Sequence, residues 1–177
     1  MQRYIALLSG IPVGSKGVSA DKLRLLLDRL NLFDVEVLPG TGNVAFRIAV
    51  GKLAPLEAQI SRHLMRALRY DIAAFIRTPA ELSAIVERDP FPPNDAYSGE
   101  VAVFIVFLAD HADERLKRQL RGFRTEADDF RVVGREIYWL RRLAMPSKVT
   151  GPVLQRLLGR PATLRSLESV QKLAEEG

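Results

Sequence analysis

Hydrophobic and polar positions along the chain fall into short runs with two different periods. Residues 4–8 are apolar without interruption and stop at Ser9-Gly10, which predicts a strand buried on both faces. Behind Ser19, an N-cap residue, and Asp21, suited to a first turn, Leu23, Leu26, Leu27 and Leu30 recur at the spacing of one apolar stripe along a helix. Val35, Val37, Val44 and Phe46 mark two strands around Pro39-Gly40-Thr41-Gly42-Asn43, a run of turn residues that predicts a hairpin. Leu53, Leu56, Ile60, Leu64 and Ala67 give a second helical stripe with Pro55 tolerated in its first turn, and residues 72–76 close the half as a strand. The order β-α-β-β-α-β is the split βαβ arrangement of ferredoxin-like domains.

The same order begins again after a connecting segment. Thr78-Pro79-Ala80-Glu81 reads as a capping box with proline at the first helical position, so a short helix carrying Leu82, Ile85 and Val86 starts there. Residues 91–99, with Pro92, Pro93, Asn94, Asp95 and Ser98, read as a loop. Residues 101–108 then predict a strand. Ala112, Leu116 and Leu120 predict a helix opened by His111, and residues 131–133 and 136–140 a tight hairpin about Gly134-Arg135. Leu154, Leu157 and Leu158 predict a further helix, residues 162–164 a short last strand, and Leu167, Val170 and Leu173 a final helix. The expected fold is α+β: two ferredoxin-like βαββαβ repeats with antiparallel sheets and an extra C-terminal helix. The first half is 1–78 and the second 79–177, the latter including a connecting helix and loop over 79–100. The duplication rests on element order, with no residue-level identity between the halves.

A strand apolar at consecutive positions needs cover on both faces, and a lone ferredoxin-like layer covers only one. The second face is therefore expected to lie under the other half of the chain or under a second subunit. The longest apolar run, residues 101–109, is far short of the roughly 20 residues of a membrane helix. Met1-Gln2-Arg3 precedes too short an apolar stretch for a secretory signal. The absence of cysteine excludes disulfides, cysteine-ligated metals and a thiol nucleophile, and agrees with a reducing compartment. A cytoplasmic protein with no membrane partner is the expectation. The net charge of +5, from 26 basic and 21 acidic residues, admits an anionic partner, although so modest an excess reads first as a solubility feature.

Three sets of residues carry candidate chemistry. The loop Gly10-Ile11-Pro12-Val13-Gly14-Ser15-Lys16-Gly17 joins a strand to a helix, where backbone N–H groups cradle anions. Its spacing does not match the phosphate-binding loop, and Pro12 removes a donor. In a split βαβ unit the end of the first strand and the turn after the second share one sheet edge, which places Ser15 and Lys16 near Thr41, Gly42 and Asn43. Second, Arg115, Lys117, Arg118, Arg121 and Arg124, with Phe123 beside them, form a basic stretch able to track a nucleic-acid backbone; Arg62, Arg66 and Arg69 form another. Such stretches are more often solvated helix faces, and the glycine–aromatic strand motif of RNA recognition is absent. Third, Tyr138 and Trp139 alternate to opposite faces of one strand, one for the core and one for a pocket. His63 and His111 lack a second ligand at metal spacing, and the adjacent carboxylates Asp128-Asp129 point apart, unsuited to acid–base work as a pair. No metal and no cofactor is expected.

Arg3-Tyr4-Ile5-Ala6-Leu7-Leu8, Gly10-Ile11 with Val13-Gly14 and Lys16, Gly42-Asn43-Val44 with Phe46, Asp89-Pro90-Phe91, Gly134-Arg135-Glu136-Ile137-Tyr138, Ser147-Lys148 with Thr150, and Ala162-Thr163 with Arg165 and Val170 resemble the bacterial family called domain of unknown function 1697. The resemblance runs the length of the chain. It implies a small cytoplasmic protein with two ferredoxin-like repeats and no established reaction. The family usually has Arg before the first glycine, Asn between the Ile and Val of the loop, and an Asn-Trp-Asn-Thr run near the end. This chain has Ser9, Pro12 and Ser166-Leu167-Glu168-Ser169 instead. Polar groups are replaced while structural glycines stay, so that if the family shares a ligand site built from these segments, this chain is expected to bind something else there or nothing.

The first functional reading is a protein that binds a small ligand or anion through strand-end loops, using Gly14, Ser15, Lys16, Asn43, Arg135, Ser147, Lys148 and Arg165. The alternatives are nucleic-acid binding through the helix at 115–124, and a homodimeric interaction module without catalysis. No residue pattern specifies a reaction.

Overall fold

The computed structural model of the chain describes residues 1–12, 17–38, 42–49, 51, 53–91 and 99–176. It forms two compact units, Met1–Ser83 with Leu173–Gly177, and Ala84–Lys172. Among the described residues, no helix is long and apolar enough to cross a membrane.

The first unit runs β1 (Gln2–Ser9), α1 (Ala20–Leu27), a 3₁₀ turn (Asp28–Leu30), β2 (Phe33–Leu38), β3 (Asn43–Ile48), α2 (Leu53–Leu68), β4 (Ala73–Arg77) and the start of α3 (Pro79–Glu87). Its sheet has the order β2-β3-β1-β4 with every neighbouring pair antiparallel, the ferredoxin-like topology. Ser19 caps α1 by accepting from Lys22 N at 3.2 Å, and Leu23 and Leu27 turn inward from it. From α2, Leu56, Ile60 and Leu64 meet Tyr4, Ala6, Leu8, Val44 and Phe46 in one core. The alternate residues Ile5, Leu7 and Phe75 are equally buried, so the far face of this sheet is sealed as well. The capping box before α3 is formed: Thr78 N donates to Glu81 Oε2 at 2.7 Å and Glu81 N to Thr78 Oγ1 at 3.1 Å.

The second unit repeats the plan with β5 (Val101–Phe107), α4 (Glu114–Gly122), β6 (Asp128–Val133), β7 (Glu136–Arg142), α5 (Gly151–Leu158), β8 (Thr163–Ser166) and most of α6 (Leu167–Glu175). The sheet order is β6-β7-β5-β8, again fully antiparallel. Gly134 at φ +62 lets β6 turn directly into β7, with Val133 opposite Glu136. His111 does not open α4; Asp113 does, its Oδ1 accepting from Leu116 N at 2.7 Å. Both members of the Tyr138–Trp139 pair are buried. Trp139 enters the helix-side core with Phe104, Phe130, Leu116 and Leu154. Tyr138 takes the other face, where its Oη donates to Ile85 O at 3.0 Å and brings the end of α3 over the sheet.

The duplication is also written in residues, which corrects the expectation that it rests on element order alone. Tyr4 lies opposite Phe46 across β1 and β3, and Phe104 opposite Trp139 across β5 and β7, as aromatic pairs in the same register. Ile5 lies opposite Arg77 in β4, and Ile105 opposite Arg165 in β8. Both arginines are buried, and each donates Nη1 to the carbonyl of the residue before it at 2.8 Å. A helix N-cap follows each one, Thr78 and then Ser166, whose Oγ accepts from Ser169 N at 3.2 Å.

Candidate functional site

The second unit is held together at one end by a buried carboxylate. β6 starts at Asp128, which is fully buried. Its Oδ1 accepts from Trp139 Nε1 at 2.8 Å, and its Oδ2 accepts from Ser147 Oγ at 2.5 Å and Thr125 Oγ1 at 3.2 Å. The two hydroxyls have their other directions fixed: Ser147 Oγ accepts from Val149 N, and Thr125 Oγ1 from Ala127 N and Asp128 N. All three groups therefore donate to Asp128, which serves as an acceptor throughout. Backbone bonds add to this, Thr125 N to Asp128 O at 2.9 Å and Arg142 N to Ala127 O at 2.8 Å. The Arg142 guanidinium donates to Glu126 O.

These contacts fix the two walls of an open cavity of about 920 Å³. One wall is the end of α4 and the segment before β6, with Phe123, Arg124, Thr125 and Ala127. The other is the segment before α5, with Met145, Lys148 and Val149, continued by Val153 of α5. The lining is mostly apolar, Lys148 stands exposed on it, and Met145 is 37% and Leu143 51% exposed. Thr150 caps α5 by accepting from Val153 N, which sets where the helix begins and hence where this wall stops.

Beside the cavity a smaller cleft of about 200 Å³ runs along the edge of β6, lined by Lys117, Arg121, Arg124, Phe130, Arg131 and Val132. Asp129 Oδ1 accepts from Arg124 Nε at 2.9 Å and from Arg131 Nη1 at 2.7 Å. The same two guanidiniums reach the carbonyl of Phe130 at 3.0 and 3.2 Å. β6 is the edge strand of its sheet, so these arginines also occupy a backbone acceptor that an edge leaves open.

The residues expected to form one site are distributed. Gly14, Ser15 and Lys16 lie outside the described residues. The loop that leads to them does meet the β2–β3 turn: Leu8 N donates to Gly42 O at 2.7 Å, and a methyl group on Gly42 would stand 2.9 Å from Ile11 Cγ2. Asn43 is buried at the head of β3 in the first unit, opposite Leu7. In the second unit Ser147 and Lys148 meet the cavity region described above. Arg135 sits in the β6–β7 turn, at the other end of the hairpin from Asp128, roughly 17 Å away by strand rise. Arg165 is buried on the far face of the sheet, donating to Thr163 Oγ1 and Leu164 O, and burial pulls its pKa down to about 10. Asp128, Thr125 and Trp139 were not singled out as a group by pattern; the one available signal was a Thr-x-x-Asp turn directly before a strand.

Of the basic stretch, Arg115, Arg118 and Arg121 are exposed on α4. Lys117 Nζ is 2.7 Å from Glu114, and Arg124 is tied to Asp129. The helix N-terminal acids are held ionised: the Leu116 amide and then Arg160 lower the pKa of Asp113, and Lys117 lowers that of Glu114. Of the strand aromatics, Tyr4, Phe46, Phe75, Phe107, Phe130, Tyr138 and Trp139 are buried and Phe104 is half-buried, so none of these offers an open stacking face to a nucleic acid; Phe33, at the start of β2, is exposed. Among the described residues, no three acidic or histidine side chains cluster so as to hold a metal ion; His63 Nε2 lies 2.8 Å from Leu26 O.

A family model described as "Protein of unknown function (DUF1697)" matches residues 1–138, a stretch that ends within β7. No curated protein matches the chain. Among solved structures, that of a conserved bacterial protein from Streptococcus pneumoniae is similar, with a TM-score of 0.68 and 18% identity over 99% of this chain and 98% of that one. At that identity the likeness is one of fold.

Proposed function

Since the chain belongs to the family of proteins of unknown function DUF1697, which names no reaction, we propose its activity from geometry: it binds a small molecule in the cavity between residues 122–127 and 145–153. The observation that carries this reading is the clamp beneath the cavity. Ser147 from one wall and Thr125 from the other both donate to Asp128 Oδ2, so the opening is held ready in the unliganded protein and loses little freedom when filled. Phe123, Met145, Val149 and Val153 offer an apolar body its burial, and Lys148 offers an anionic end its counter-charge. On this reading Lys148 faces the ligand, and Ser147 positions the wall through Asp128.

Anilinonaphthalene sulfonate, an aromatic anion, tests the reading by fluorescence titration. One saturable equivalent is expected. Lys148→Ala should weaken it by roughly threefold to tenfold, about 1 kcal/mol, and Val153→Trp, which fills the cavity, should abolish it with melting unchanged. A folded protein that shows no saturable binding, or a Val153→Trp variant that binds like the parent, removes the proposal.

A further inference from the structure

The cavity and the basic cleft are separately lined concavities that share one residue: Arg124 lines both. A molecule seated in the cavity therefore has the cleft within reach of a single guanidinium. The cleft carries excess positive charge for a structural reason. Arg124 and Arg131 converge on one carboxylate oxygen, Asp129 Oδ1, and one carbonyl, Phe130 O. A single carboxylate compensates one of two guanidiniums placed side by side. Lys117 is matched by Glu114. Arg121 is exposed and makes no ion pair or side-chain hydrogen bond among the described residues. The cleft's four cations thus face two carboxylates. α4 ends here, and its terminal carbonyls disfavour an anion slightly; Arg121, in its last turn, offsets them.

Guanidinium donors set in pairs fit the tetrahedral oxygens of a phosphoryl group better than the single plane of a carboxylate, and a space of about 200 Å³ admits a phosphoryl group or short polyphosphate but no large ring. Resting on the cavity reading above, we infer that the ligand is an organic phosphate, with its apolar or aromatic body in the cavity beside Phe123 and its phosphoryl group in the cleft of Lys117, Arg121, Arg124 and Arg131. Arg124 bridges the two parts. Its bonds to Asp129 and the β6 edge hold it in place before the ligand arrives, and Arg121 is the donor that remains to be engaged.

Calorimetric titration of the full chain with naphthol, naphthoate and naphthyl phosphate separates the possibilities. Naphthyl phosphate is expected to bind at least about tenfold more tightly than naphthol and several-fold more tightly than naphthoate, with an advantage that shrinks as salt rises. Arg121→Ala should cut the phosphate advantage by about threefold to tenfold without changing naphthol binding or melting, and Arg121→Lys should restore part of it. Equal affinity for naphthol and naphthyl phosphate, or for naphthoate and naphthyl phosphate, would overturn the phosphate assignment and leave the cavity reading standing. Naphthyl phosphate that binds Val153→Trp undiminished and is matched by inorganic phosphate would mean a free-anion site, which overturns the pairing of cleft with cavity. Binding of none of the three would sink both readings together.

Discussion

α2 runs for 16 residues along the sheet of the first half, whereas α5, its counterpart in the second, runs for 8. That is about 24 Å of helix against about 12 Å. Each helix reaches its following strand through a link of matching length, residues 69–72 and 159–162, so the turns absent from α5 are those at its amino end. In α2 these turns press Leu56 and Glu57 onto the sheet, and Glu57 Oε1 accepts from Ile76 N at 2.7 Å. In the second half residues 143–150 take that path without helix, and the cavity opens beside Val149 and Val153. The two copies of one fold have thus separated in use. The first keeps its helical layer filled, while the second gives up packing where two turns are missing and exposes Leu143 and Met145 at the same place.

The sharpest way to break this comparison is through the carboxylate that keeps the second half shaped despite the missing turns. Phe46 of the first half brings no N–H group to its core, but Trp139 in the same register does, and Asp128 receives it along with both cavity walls. Asp128→Ala leaves buried donors unmatched and should cost about 3 to 4 kcal/mol in urea unfolding followed by circular dichroism. It should also abolish anilinonaphthalene sulfonate binding at temperatures where the variant is folded. Trp139→Phe should cost less, and the double variant should cost less than the sum by about 1 kcal/mol or more. Additive costs would show that the indole and the carboxylate do not depend on each other.

The hairpin turns offer a second contrast. Gly42 and Gly134 both have positive φ, +70 and +62. A Cβ on Gly42 would stand 2.9 Å from Ile11 Cγ2 and 3.0 Å from Leu8 O, whereas one on Gly134 meets nothing nearer than 3.6 Å. Gly134→Ala should therefore cost only the left-handed conformation, about 1 kcal/mol, and Gly42→Ala about 2 to 3 kcal/mol because the loop after β1 must also move. Thermal melting of the two variants side by side decides it. Equal losses would mean that the first hairpin does not pack on that loop.

What was legible in the sequence is what periodicity encodes. The stripes Leu23–Leu27 and Leu56–Ile60–Leu64, the Thr78–Glu81 capping box and the Gly134 hairpin all follow from local spacing, and each is found in the fold. The doubly buried strand β1 was legible for the same reason, and so was the end of β5 at residues 105–107, whereas residues 101–104 are only half-buried. The residue-level repeat was not, because Arg77 and Arg165 correspond only through their strand partners Ile5 and Ile105, and their neighbours differ. Adjacent carboxylates on a strand point apart, which sets them aside as an acid–base pair but carries no sign of what Asp128 does alone. They do point apart, Asp128 inward to Trp139 and Asp129 outward to two arginines. The cavity comes from turns that α5 does not have, and the three leucines that mark that helix carry no sign of how far it would otherwise extend.

Position for position, Ala45 of the first half is replaced by Tyr138 in the second, opposite Ile5 and Ile105 respectively. The added hydroxyl is accommodated by donating to Ile85 O. Burial, with a smaller contribution from the neighbouring Glu136 charge, pushes its pKa up to about 12 from an ordinary value of 10.0, while Arg88 opposes the shift. The folded state therefore favours the neutral phenol. The stability this contributes is fully present below pH about 10 and is lost as pH rises through about 12. Arg165 moves the other way over the same range, since its depressed pKa lets it shed a buried charge there, so the wild-type profile alone mixes both effects. Tyr138→Phe keeps Arg165 and removes only the phenol. The gap in unfolding free energy between wild type and Tyr138→Phe should narrow or reverse on the order of 2 kcal/mol between pH about 10 and about 12. Parallel profiles would mean that Tyr138 is as free to ionise in the folded chain as in the unfolded one, and that the far face of the second sheet is open to water where the first is sealed.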